Sequence, residues 1–224
     1  MSQISEQRRE QIVQTARRIV DEQGPGRLTA EAITQEVGVS RPLLYHYFAN
    51  MGDLLNAVID IYALEFETRL LTWEQEPDVR TQATSDLSAW TRSLIEMLRP
   101  DLVDNCPLLR GANPEEPPSA YPRFLSRCAA ILADHALVAQ DPALAPCTAL
   151  PYPRETIYLA ICVFTGMLRA FPKTSTEATA QMVEPLWQPG ATAVASTSAS
   201  APQAAEEAAP TETARKGFLD WIFN

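Results

Sequence analysis

Between Ser40 and Tyr47 the chain gathers short polar, cationic and aromatic side chains, with Ser40, Arg41, Leu43, His46 and Tyr47 falling on one side. Groups of these types suit phosphate oxygens and base edges. Leu44 and Phe48, four residues apart, turn the opposite way, and that separation requires a helix. Ser40 caps it, and Pro42 is tolerated in its first turn, where backbone N–H groups lack helical acceptors. Ahead of it Gly38 supplies a sharp turn, and Val39 plugs the space between two helices. The earlier helix runs from Ala30 to Val37, is capped by Thr29, and keeps Ile33 and Val37 on one face. Leu28 to Phe48 thus has the pattern of a helix-turn-helix whose second helix is shaped to lie in a DNA groove.

Other chemistries find little support. The only histidines are His46 and His135, and neither neighbours a cysteine or serine in a nucleophile motif. No phosphate-binding loop appears among the eight glycines. No catalytic residue, cofactor or metal ligand is assigned, and the chain is not read as an enzyme. Cys106, Cys128, Cys147 and Cys162 show no CxxC spacing, so neither a disulfide framework nor a zinc site is expected. If a thiol sensor exists, Cys106 and Cys147 are the candidates because they sit in proline-bearing loops, whereas Cys162 reads as helix core. Met1 to Arg9 is polar throughout and no apolar run reaches the roughly 18 residues of a spanning helix, so a cytoplasmic location is expected.

The net charge of −10 is unusual for a DNA reader, but it is unevenly placed. Residues 1–50 hold six arginines and six carboxylates and are neutral overall, so the remainder carries the whole acidic load. An acidic body restrains non-specific DNA binding and favours solubility.

The elements that position this face are helices punctuated by proline. Glu6 to Gln23 is the first, ended by Gly24-Pro25-Gly26. Asp53 to Glu76 is long and apolar around most of its circumference, with Leu54, Leu55 and Val58 turned to the N-terminal unit and Tyr62, Phe66, Leu70 and Trp73 to the rest. A single helix from Thr81 to Leu98 follows, then a proline-rich loop from Asn105 to Pro122. Helices from Pro122 to Ala139, Pro153 to Phe171 and Ser175 to Trp187 complete an all-α fold.

The stretch from about Glu6 to about Val58 resembles the TetR family of bacterial transcriptional regulators. The specific part is GVSRPLLYHYFANMGDLLNAV, Gly38 to Val58, together with Thr29 and Ala32. The resemblance implies an N-terminal three-helix helix-turn-helix DNA-binding unit, residues 1–52, and a C-terminal helical dimerisation and effector domain, residues 53–188. Its partners would be double-stranded DNA, a second copy of the chain and a small apolar effector. It would act as a repressor on a palindromic operator, with Thr29, Ser40, Arg41, Pro42, Leu43, Tyr45, His46 and Tyr47 at the DNA and Arg8 and Arg9 as candidate phosphate clamps. A lone unit of about 50 residues reads few base pairs, so two heads one helical turn apart are expected. Two positions depart from the family: Met51 stands where a lysine commonly holds a phosphate, and Glu31 is acidic in the first turn of its helix. They favour the alternative of a degenerate member serving as adaptor or scaffold.

The resemblance and residue content together place the dimer interface on Ile157, Ile161, Phe164 and Leu168, with Met182 and Leu186 on the following helix. The effector cavity it implies would draw on Trp73, Trp90, Met97, Phe124, His135 and Met167, with His135 as the polar handle. Residues 189–213, rich in alanine, serine, threonine and proline, read as a disordered linker. Residues 214–224 end the chain with Phe218, Leu219, Trp221, Ile222 and Phe223 behind Arg215 and Lys216, an apolar segment read as a short amphipathic helix. Docking on its own dimer, a protein contact and a membrane-surface contact are the uses weighed for it.

Overall fold

A computed structural model describes residues 3–110 and 120–188. The expected linker and apolar tail, and residues 111–119 of the proline-rich loop, lie outside the described residues. Within them the chain is helical throughout. Helix α1 spans Gln3–Gln23, α2 Ala30–Val37, α3 Arg41–Tyr47 and α4 Met51–Glu74. Asn50 starts α4 by accepting the Asp53 N–H at 2.9 Å with its side-chain oxygen. Along α4 the side chains of Leu54, Val58, Tyr62, Phe66, Leu70 and Trp73 are all buried, and the helix packs on both α1 and α7 (Ala120–Asp134). It therefore carries the core from the N-terminal helices into the rest of the chain.

The helix expected over Thr81 to Leu98 is two. Helix α5 covers Pro77–Ser85 and α6 covers Leu87–Arg99. Asp86 divides them: its N–H closes α5 on Gln82 O, its backbone leaves helical geometry, and its carboxylate caps α6 by accepting from Ala89 N at 3.0 Å. An aspartate satisfied in this way ends one helix and begins the next, a local choice that apolar periodicity does not reveal. The expected helix from Pro122 to Ala139 starts at Ala120 and ends in a wider π turn over His135–Ala139. A 3-10 turn at Pro142–Leu144 and the short α8, Ala145–Thr148, precede α9, Pro153–Ala170. Helix α10, Thr176–Val183, continues into a 3-10 turn at Glu184–Trp187.

One hydrophobic cluster runs from Ile12 on α1 to Trp187. Its aromatic centre is Trp90, fully buried between Trp73 and Trp187 at 6.3 and 5.6 Å, with its indole N–H donating to Ala143 O at 2.7 Å. Among the described residues no helix is long and apolar enough to cross a membrane.

Candidate nucleic-acid interface

Thr29 opens the interface, its hydroxyl accepting the Ala32 N–H at 3.1 Å. Gly38 ends α2 in the left-handed region at φ +72°, donating its N–H to Thr34 O, a conformation that favours glycine. Val39 follows as a buried plug, and the Ser40 hydroxyl accepts the Leu43 N–H at 3.4 Å to start α3. Leu44 and Phe48 are buried in the core, and α3 packs on α2. Thr29, Ser40, Arg41, Pro42, Leu43, Tyr45 and His46 are left on the surface, Leu43 at 37% and Tyr45 at 46% exposure. Tyr47 is half-buried against the core, with its ring edge-to-face on His46 at 5.3 Å. Tyr45 is therefore the more open of the two tyrosines.

The six arginines of this region divide by what they already hold. Arg17 pairs with Glu65 at 2.7 Å and Asp21 at 3.4 Å, and Arg18 with Glu22 at 3.0 Å and with Glu36. Arg9 lies over the Phe48 ring, 5.1 Å from its centre, so one candidate phosphate clamp is engaged in a cation–π contact. Arg8 donates to Gln11 at 2.9 Å, and Arg27 and Arg41 are exposed; none of these three enters an ion pair among the described residues. Those three cations offer charge to a phosphate backbone without first breaking a pair. Met51 is half-buried against the core and brings no charge to it.

The remaining expected sites fare differently. Ile157, Ile161, Phe164 and Leu168 are buried inside the chain's own core, which removes them as a dimer surface. The opposite side of α9 is the exposed apolar one, with Leu159 at 53% and Val163 at 42%, and Gly166 exposed a turn further on. The stripe with the stronger periodicity was the core one, because an intrachain core and an interface share the same helical spacing. Met182 is exposed at 60% and Leu186 is half-buried.

Of the expected effector residues, Trp73 and Met97 border an open groove of about 270 Å³ with Arg69, Glu76 and Glu96. Phe124 lines a separate cleft of about 150 Å³ with Arg17, Asp21 and Tyr62. Trp90 is spent in packing, and Met167 is half-buried. His135 is not a free polar handle: its Nδ1 lies 2.9 Å from Glu74 Oε1 and its Nε2 3.5 Å from Glu67 Oε1. Glu74 is 1% exposed, a buried carboxylate on the apolar side of α4 that sequence periodicity did not flag. The cysteines also reverse expectation. Cys106 and Cys147 are buried, and burial pushes their thiols up to about 11 and about 12, which suppresses the reactive thiolate. Cys162 is the half-exposed one.

Capped helix, left-handed glycine, plug and capped second helix define a helix-turn-helix DNA-binding protein. Residues 12–58 match the model of the bacterial regulatory proteins, tetR family, so this unit is similar to the helix-turn-helix unit of those transcriptional regulators. No curated protein matches the chain. Among solved structures it is similar to a tetR-family transcriptional regulator from Streptomyces coelicolor, at 18% identity over 81% of this chain and 79% of that one, TM-score 0.42. It is also similar to RolR (NCGL1110), solved in complex with the ligand resorcinol, at 19% identity over 88% and 97% of the two chains, TM-score 0.49.

Proposed function

We propose that the chain is a homodimeric repressor that binds a palindromic operator through α3 of each copy and is released by a small apolar ligand. The observation that carries the reading is the exposed row Ser40, Arg41, Leu43, Tyr45 and His46 on a helix anchored by buried Leu44 and Phe48. Tyr45 and His46 are suited to base edges, Arg41 to phosphate. The test is fluorescence anisotropy on DNA selected by the protein from a random pool. Tyr45→Ala and Arg41→Ala should each weaken binding by about 10- to 100-fold, and Arg41→Ala should also lower the salt slope by about 1, with helical content unchanged. Absence of binding at low salt by a verified dimer would exclude the repressor. The adaptor reading, favoured by uncharged Met51 and exposed Glu31, would then stand.

The dimer surface supported best is the exposed apolar side of α9, where Leu159 and Val163 lead to Gly166, with Met182 of α10 as a second exposed apolar residue. Apolar side chains left open beside a glycine permit close helix approach across a two-fold axis. Val163→Glu should convert the dimer to folded monomers in sedimentation, whereas a charge at buried Phe164 should unfold the chain. An unchanged dimer in Val163→Glu would move the interface elsewhere. The ligand would enter the C-terminal helices, where the Trp73 and Met97 groove offers an apolar floor, and it must bind one head arrangement more tightly than the other to release DNA.

A further inference from the structure

We infer that the Tyr62 hydroxyl and the Asp21 carboxylate are positioning groups that set the angle of the reading head, and hence the half-site spacing a dimer accepts. The inference rests on the paired-site reading above. Asp21 lies near the end of α1, in the N-terminal unit, and Tyr62 lies on α4, eleven residues beyond its first residue, Met51. The hydroxyl of buried Tyr62 donates to Asp21 Oδ1 at 2.7 Å at the edge of an open cleft. Asp21 is a node: its Oδ2 faces Arg17 at 3.4 Å, and its backbone carbonyl accepts from Arg110, beyond α6. Arg17 in turn lies 5.7 Å over the Tyr62 ring and reaches Glu65.

These contacts are unequal. Arg17 and Glu65 are partly open to solvent, and such pairs contribute little after screening and side-chain ordering. The Tyr62 to Asp21 bond is part-buried, with the Asp21 side chain 38% exposed, but a hydroxyl donating to a charged acceptor at 2.7 Å is directional in a way that a flexible ion pair is not. The Tyr62 to Asp21 bond is therefore a short, directional polar restraint that joins α1 to α4.

Its position gives it leverage. Eleven helical residues at about 1.5 Å each place Tyr62 about 16 Å along α4 from the start of that helix, which abuts the reading unit. A tilt of roughly 6° over that arm displaces each reading helix by about 1.7 Å, so two heads together move by about one base-pair step of 3.4 Å. A bond that confines the tilt to a few degrees selects one spacing. Without it, neighbouring spacings become acceptable while each head keeps its base contacts.

The experiment measures binding to DNA carrying two half-sites at varied separation and to DNA carrying one. Wild type should prefer one separation sharply. Tyr62→Phe and Asp21→Ala should each lose about tenfold of the discrimination against spacers one base pair longer or shorter, as expected for one hydrogen bond to a charged group. Affinity for the single half-site should not change. Asp21→Asn retains an oxygen for the hydroxyl without the charge and should fall between the wild type and Asp21→Ala, and Tyr62→Phe combined with Asp21→Ala should lose no more than either alone. A sharp spacing preference that persists in both Tyr62→Phe and Asp21→Ala overturns the inference alone, as does a parallel loss of single-site affinity. A wild type indifferent to a second half-site overturns the paired-site reading and the inference with it.

Discussion

Gly24→Ala should destabilise the protein by about 3 kcal/mol, or lower its melting temperature by about 10 °C, while Gly26→Ala two residues on should be nearly silent. Gly24 closes α1 at φ +86° and ψ 167°, a region open essentially to glycine alone. Space is closed as well: a Cβ added there would meet the backbone oxygen of Arg110 at 2.0 Å. Backbone cannot swing aside as a flexible side chain can, so the Arg110 strand of chain must retreat and weaken its hydrogen bond to Asp21. Gly26 has no atom within 4 Å of its added Cβ and no positive φ, so alanine costs nothing there and restricts the unfolded chain slightly. Differential scanning calorimetry of both variants decides the matter; equal melting temperatures would mean that α1 does not rest on the Arg110 segment.

His135→Ala should cost about 3 kcal/mol, and the wild-type protein should lose stability as the pH rises above neutrality. The imidazole lies against Glu74, which is withdrawn from water on α4, so removing it strands a carboxylate in an apolar site. Burial raises the Glu74 pKa above the ordinary carboxylate value, against the pull of His135. Burial alone would lower the His135 pKa, but the hydrogen bond and charge of Glu74, followed by those of Glu67, outweigh it and the result is upward. A histidine raised in the folded state holds its proton more tightly there than in the unfolded chain. Its contribution is fully present below its unfolded pKa of about 6.5 and is lost as pH climbs through the folded value. Glu74, raised likewise, opposes none of this, because its folded state also favours the protonated form. Chemical denaturation between pH 6 and 9 should therefore show falling stability in the wild type and a flatter line in His135→Ala. Replacing both residues by leucine should recover most of the loss, since an apolar pair removes the stranded charge. A pH-independent wild type would show that the pair is not held as drawn.

Both results bear on how the N-terminal unit is tied to the helices behind it. Gly24 and Asp21 meet the Arg110 segment at one end of α1, and the His135 to Glu74 pair fixes the far end of α4 to the turn after α7. Helix α4 is thus held near both the reading unit and its own C-terminal end, as a lever between them must be.

The reading helix was legible in the sequence because its signals are local. A cap at Ser40, a proline in the first turn, a glycine at Gly38 and the pair Leu44 and Phe48 all act within a few residues, and each appears in the structure where its chemistry requires. The all-helical class and most helix bounds follow for the same reason. What the tertiary structure alone decided are matters of partner and side. Ile157, Ile161, Phe164 and Leu168 present the same spacing whether they meet their own chain or a second copy, and only the placement of α7, α8 and α10 against α9 made them core. His135 and Glu74 lie 61 residues apart, and Tyr62 and Asp21 lie 41 apart, so no local pattern joins them. Gly24 and Gly26 read alike in Gly-Pro-Gly, and the packing of Arg110 against one of them separates their roles. Local backbone preference fixes where a helix begins, ends and turns its apolar side; which group that side meets depends on chain segments brought together by folding, and that information resides in no single stretch of the sequence.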